Sequence, residues 1–286
     1  MTVYVSTGGY RDSKAEEISK SLMEEGIDSI ELSGTMYHPE IISNLALLKK
    51  KINFQIHNYF PPPKIPFVLN LASEDREVSK MTIEHIEHAI DCCQKLNSKF
   101  YSFHAGFLCD IKVNELGKKV EKKILQNREK SIDLFLERVS KISNKAKELG
   151  VKIMIENNVL SKKNQIEFKG NPFLMADSEE CIKIIKSTPE NVKLLLDVAH
   201  LKVSSNSLNF DPIDFIKKCN HIIGGYHLSD NNGMSDSNDP ITENSWFWNY
   251  IKPDLEYYSI EVYNQSNAKM KSLKDMVENK LKILDR

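Results

Sequence analysis

Eight short, mostly apolar runs punctuate the chain. They are Val3–Ser6, Ser29–Leu32, Ile52–Ile56, Phe100–Phe103, Val151–Ile155, Val192–Leu196, Ile222–Tyr226 and Tyr257–Ile260. Brief runs of this kind are the pattern of parallel strands buried on both faces; the second, SIEL, is the weakest of them. Amphipathic stretches separate the runs. Ile132, Phe135, Val139, Ile142, Ala146 and Leu149 recur every three or four residues, as do Val78, Met81, Ile86, Ala89 and Cys93. Each set places one apolar stripe on a helix. Eight strand–helix units predict an α/β protein with a closed (β/α)8 TIM barrel, a single domain over residues 1–286. The pattern runs unbroken to a last amphipathic stretch, Met270–Leu284, which sets both termini on the periphery. An open doubly wound sheet would want a glycine-rich phosphate turn after an early strand. Gly8 and Gly9 follow the first run, but neither G-x-G-x-x-G nor G-x-x-x-x-G-K-S/T occurs. The lysine-rich stretch Lys112–Lys130 reads as a solvated helix or helix start.

In such a barrel, functional side chains project from the C-terminal ends of the strands. The third run ends in His57, the fourth in His104 and the fifth in Glu156. The sixth gives Asp197, with His200 three residues on; the seventh gives His227 and then Asp230; the eighth ends in Glu261. Taken singly, Asp197 could cap the next helix, a strand-end histidine could be a hydrogen-bonded core residue, and either glutamate could be half of an ion pair. Taken together, three carboxylates converging on one mouth would repel each other and suffer desolvation. A divalent cation offsets both, and these N and O donors suit Zn, Mn, Co or Mg. His38, His85, His88 and His221 lie outside this pattern and read as surface or structural residues.

Composition narrows the setting. The 286 residues carry 39 basic and 40 acidic side chains, a formal charge of −1, and 41% are hydrophobic. That is ordinary globular composition. Nothing global favours nucleic acid or an anionic membrane surface. No charge-free stretch is long enough to span a membrane, and the first residues do not read as a signal peptide. Five cysteines, two of them adjacent and none in a C-x-x-C pair, suit a reducing, cytoplasmic setting. The long loop from Asn58 to Arg76, with Pro61, Pro62 and Pro63, is a candidate substrate lid or subunit contact, and a homo-oligomer stays open. Tyr59, Phe60, Phe107, Trp246 and Trp248 lie in or near mouth loops, with lid packing favoured over stacking on a bound ligand.

The order IENN, DVAH, YHLSDN, SIEVYN on consecutive strands resembles the xylose isomerase-like TIM-barrel superfamily. That group includes sugar epimerases of the tagatose/psicose 3-epimerase type and apurinic endonucleases of the endonuclease IV type. The resemblance implies that Glu156, Asp197, His227 and Glu261 hold one divalent metal ion, with Glu156 and Glu261 also exchanging protons with the substrate. It implies that His200 contacts substrate. In the endonuclease branch His57 and His104 would ligate a second ion shared through Glu156. A third ion there needs His200 and an Asp-x-His pair. Asp239 is the candidate aspartate, but Ile241 stands at the histidine position. The arginine that the epimerases often carry after the seventh strand is also missing. The expected activity is a metal-dependent isomerase or epimerase of a sugar or sugar phosphate, working through a metal-stabilised enediolate. His57, His104 and His200 would bind the sugar hydroxyls. The alternative is metal-dependent cleavage at abasic DNA.

Overall fold

A computed structural model describes every residue except Arg11. Its strands are β1 (Val3–Ser6), β2 (Ser29–Leu32), β3 (Asn53–His57), β4 (Phe100–His104), β5 (Lys152–Glu156), β6 (Val192–Asp197), β7 (Ile223–Leu228) and β8 (Tyr257–Ile260). All pair in parallel in chain order, and β1 closes on β8. The helices are α1 (Ala15–Glu24), α2 (Ile41–Ala46), α3 (Arg76–Leu96), α4 (Arg128–Glu148) and α5 (Lys162–Phe168), then α6 (Ser178–Lys186), α7 (Val198–Leu208), α8 (Pro212–Cys219) and α9 (Asn267–Leu284). The expected barrel is therefore the observed one. Four strands, β3, β4, β5 and β6, run one residue further than the apolar runs and so take in His57, His104, Glu156 and Asp197. β7 runs two residues further and takes in His227.

Alternation along the strands sorts the side chains. Val3, Val5, Ile30, Leu32, Phe54, Ile56, Tyr101, Phe103, Ile153 and Ile155 join the large core that also holds Ile86, Phe135 and Val277 of the helices. The intervening residues face the barrel axis. There Tyr4, Phe100, Met154, Leu195 and Tyr257 form a separate apolar plug. Truncating a plug aromatic such as Phe100 to alanine would cost about 3–5 kcal/mol. One inward step above the plug the residues turn polar: Glu31, Gln55, Ser102 and Ser259 are all fully buried. Sheet and plug thus leave one exit, the mouth at the carboxyl ends of the strands.

The Lys112–Lys130 stretch departs from expectation. It is irregular apart from one 3-10 turn, Val113–Glu115, and α4 begins only at Arg128. Glu115 explains this. Its carboxylate is buried, accepts from the backbone N–H of Lys112 and Glu121, and pairs with Lys123 at 2.5 Å. Those bonds compete with a helix. Val120 packs beside Phe107 and Phe173, which folds the segment over the mouth.

Candidate metal centre and active site

Asp197 shows how local structure builds the site. It ends β6 and caps α7, with Oδ1 accepting the His200 N–H at 2.7 Å. Its Oδ2 is left free to face the barrel axis and has no hydrogen-bond partner. Glu156 Oε1 and Oε2 and His227 Nδ1 are likewise buried and unpartnered. His227 Nδ1 lies 3.2 Å from Glu156 Oε1, 3.1 Å from Glu261 Oε2 and 4.0 Å from Asp197 Oδ2. None of these three contacts is a hydrogen bond, since His227 Nδ1 has no hydrogen-bond partner. One donor atom from each of Glu156, Asp197, His227 and Glu261 falls within 4.8 Å of all the others. Buried anionic oxygens without partners are costly, and this mixed carboxylate–imidazole set fits a divalent first-row cation.

The remaining histidines surround Glu156. His104 Nδ1 is 3.3 Å and His57 Nε2 3.6 Å from Oε2, a second group of potential ligands. His200 donates from Nδ1 to the Asn157 carbonyl at 3.0 Å, and its Nε2 lies 3.2 Å from Asp236 Oδ2. In charge terms the cluster balances itself with protons. Burial pulls His200 down, but Asp197 and Asp236 outweigh it and hold the imidazole well above its usual range. Glu31 and Glu156 do the same for His227, again against burial. Burial beside Glu156 raises Asp197 to about 7, although His200 opposes that shift. Burial also pulls His104 down to about 4, only partly offset by Glu156. Glu156 is held well below the carboxylate range, because His104, His227 and His57 overcome its desolvation.

Above this floor lies a cavity of about 800 Å³ lined by His57, His104, His200, Asp236 and Glu261. Its upper wall comes from the Asn58–Arg76 loop and the Lys112–Lys130 segment, with Tyr59, Phe67, Phe107 and Phe173 facing in. Phe60 and Trp248 are buried in the main core and Trp246 packs against it, so these three serve packing. Gly8 also lines the mouth. A Cβ there would sit 2.8 Å from the Tyr263 hydroxyl and 3.1 Å from Glu261 Oε1, which are themselves hydrogen-bonded at 2.9 Å.

Three strand-end or loop candidates fall elsewhere. Asp230 pairs with Lys202 at 2.6 Å. Asp239 is exposed and accepts from Ser237. Ile241 is in the main core. The aspartate that reaches His200 is Asp236, which nothing in the run SDNNGMSDSND singles out. Glu31 was also missed. It is fully buried and accepts from His227 Nε2 at 3.0 Å. A carboxylate inside an otherwise apolar run was its available signal. Of the other histidines, His85 is a buried structural residue whose Nε2 donates to the Asn58 carbonyl at 3.2 Å, and His38 pairs with Glu16.

The closed parallel barrel gathers inward carboxylates and histidines at its C-terminal mouth, in groups that could hold a metal ion. The chain belongs to the xylose isomerase-like TIM barrel family, whose model matches residues 19–255. It is 26% identical over 268 residues to the uncharacterized protein MJ1311 of Methanocaldococcus jannaschii, spanning 91% of this chain and 80% of that one. Among solved structures it resembles a D-tagatose 3-epimerase-like protein, at 24% identity and a TM-score of 0.74, over 100% of this chain and 98% of that one. It also resembles the D-psicose 3-epimerase of Clostridium cellulolyticum H10 solved with D-tagatose, at 14% identity and a TM-score of 0.65, over 100% and 98% of the two chains. Among the described residues, no helix is long and apolar enough to cross a membrane.

Proposed function

We propose that this protein is a divalent-cation-dependent isomerase or epimerase of a small sugar or sugar phosphate, acting by proton transfer next to a carbonyl. The observation that carries the reading is the set of donor atoms on Glu156, Asp197, His227 and Glu261 that gather within 4.8 Å under a cavity of sugar size, those of the first three buried and unpartnered. Those four residues would hold the cation, of the Mn, Zn, Co or Mg kind. When bound, it supplies positive charge that polarises a carbonyl and offsets the charge developing on the neighbouring oxygen.

The chain's own groups do the rest. Glu261 reaches the cavity wall, and the Tyr263 hydroxyl donates to its Oε1, which fixes its orientation. It is the better placed of the two carboxylates to take a carbon-bound proton. Glu156 lies beneath and is the second acid/base candidate. His200 lines the cavity wall with His57 and His104, and a substrate oxygen would share its Nε2 proton with Asp236. Tyr59, Phe67, Phe107 and Phe173 shield the site from bulk water. The same fold in a solved D-psicose 3-epimerase and in a D-tagatose 3-epimerase-like protein supports a sugar as the substrate class.

A second reading, cation-dependent cleavage at abasic DNA, draws on the additional His57–His104–Glu156 group, which is suited to a second ion. Against it stand Ile241 in the core and the absence of a basic surplus. The test is deuterium exchange into a panel of ketoses and their phosphates, followed by NMR, with each cation added. Wild type should exchange one carbon-bound proton. Glu261→Gln should abolish exchange, and Glu156→Gln should do so while keeping part of the cation affinity, since an amide oxygen still ligates but cannot act as a base. Nicking of an abasic duplex, lost on His57→Ala and with no sugar turned over, would overturn the proposal.

A further inference from the structure

Beneath the cation cluster, a buried hydrogen-bond chain joins two histidines. Glu31 Oε2 accepts from His227 Nε2 at 3.0 Å and also from the Tyr257 hydroxyl. Oε1 of the same carboxylate has no partner, so a proton placed there would be buried without an acceptor. Glu31 is therefore the fixed acceptor of the chain. Tyr257 gives its one proton to Glu31, and its oxygen can only accept. Ser102 Oγ lies 2.9 Å from that oxygen, nearer than either of the other groups that could take its proton, His57 Nδ1 at 3.0 Å and the Ile56 carbonyl at 3.5 Å. With its own proton committed, Ser102 must accept from His57 Nδ1, at 3.0 Å. All five residues are buried.

We propose that Glu31 is a positioning residue that fixes which ring nitrogen keeps its proton in both His227 and His57. On His227 it holds the Nε2 proton, so the proton that a cation would displace is the one on Nδ1, which faces Glu156 and Glu261. His57 keeps its proton on Nδ1, which turns the lone pair of Nε2 toward Glu156 Oε2 at 3.6 Å. One carboxylate thus sets two rings whose centroids are 4.7 Å apart, one directly and one through Tyr257 and Ser102. A ring in the other tautomer would present an N–H where a cation needs an electron pair. This consequence rests on the cation-dependent reading above. The proton positions themselves do not.

The test uses protein labelled with 15N-histidine, metal-free and then with zinc alone. Long-range proton–nitrogen correlation spectra separate protonated from lone-pair nitrogens in each ring. Wild type should show N–H at Nδ1 of His57 and at Nε2 of His227, the latter retained when zinc is added. Tyr257→Phe cuts the chain above Glu31, so His57 should populate both tautomers while His227 stays as in wild type. Ser102→Ala, a smaller change, should do the same. In Glu31→Gln the amide oxygen can still accept both bonds, so the proton positions persist. Its zinc affinity, read by competition with a chromogenic chelator, should fall roughly 10–100-fold as the charge is lost. A general packing defect would disturb both rings together.

His57 protonated at Nε2 in wild type, or unmoved in both Tyr257→Phe and Ser102→Ala, overturns the proposal. If the protons lie as stated and neither zinc nor another divalent cation binds, the cation reading fails and the positioning role stands.

Discussion

Replacing Asp197 by asparagine separates its two jobs, because one oxygen caps α7 and the other faces the cluster of Glu156, His227 and Glu261. Asparagine is as good a cap as aspartate, so the helix start survives. In the metal-free protein the carboxyl is raised from 3.8 to about 7, chiefly by burial. A carboxylate raised in this way holds a proton that the unfolded chain has released. Stability therefore falls as pH climbs from about 4 to 7, and the full cost is present above 7. At 1.36 kcal/mol per pKa unit the ceiling is about 4 kcal/mol. Loss of the support Asp197 gives to the His200 proton offsets part of it. At pH 8 with chelator, Asp197→Asn should thus unfold at or above the wild-type temperature. Added cation inverts the order. At a hundredfold excess over Kd, binding adds about 2.7 kcal/mol. Spread over an unfolding entropy of about 2.1 cal/mol/K per residue, that is a rise of about 4–5 °C for wild type. The variant turns an amide N–H₂ toward the cluster and should gain little. Calorimetry with and without manganese or zinc reads both signs. An equal cation shift in the two proteins would refute the ligand assignment. A metal-free variant several kcal/mol less stable than wild type would refute the claim that this carboxylate is a cost.

His85 makes the molecule acid-sensitive: burial holds its imidazole down at about 4. The unfolded chain protonates first as pH falls from about 6.5 to 4, so stability drops in that window; the gap between wild type and His85→Gln in urea melts should change by about 3 kcal/mol from pH 7 to 4, and a constant gap would refute the assignment. Gly8→Ala should push its Cβ into the Tyr263–Glu261 pair, cutting sugar-proton exchange on the order of 10²-fold with little change in melting temperature; full activity would show that this close approach does not position Glu261.

How much of this was legible in the sequence depends on what each residue competes with. The barrel was legible because eight buried strands demand eight apolar runs, and the parallel order follows once helices separate them. Glu156, Asp197, His227 and Glu261 were legible because a donor that ends an apolar run has only the mouth to point into. Glu31 was not, although it obeys the same inward alternation. It sits one inward step above the apolar plug and binds His227 from below, so its partner lies almost two hundred residues away with no spacing rule to connect them. Ser102 and Tyr257 are hidden for the same reason: on a strand, an inward serine or tyrosine is ordinary filling until the residues across the barrel are known. Asp236 was hidden for a different reason. Asp230, Asp236 and Asp239 share one loop, and only the turn of that loop decides that one meets Lys202, one meets His200 and one faces solvent. The Lys112–Lys130 segment shows the converse. Its composition is that of a solvated helix, yet one buried carboxylate, Glu115, gathers two backbone N–H groups and a lysine and holds the chain in a loop that roofs the cavity. Strand ends are readable one at a time, whereas loops and networks across the barrel are defined only by the neighbours that folding brings to them.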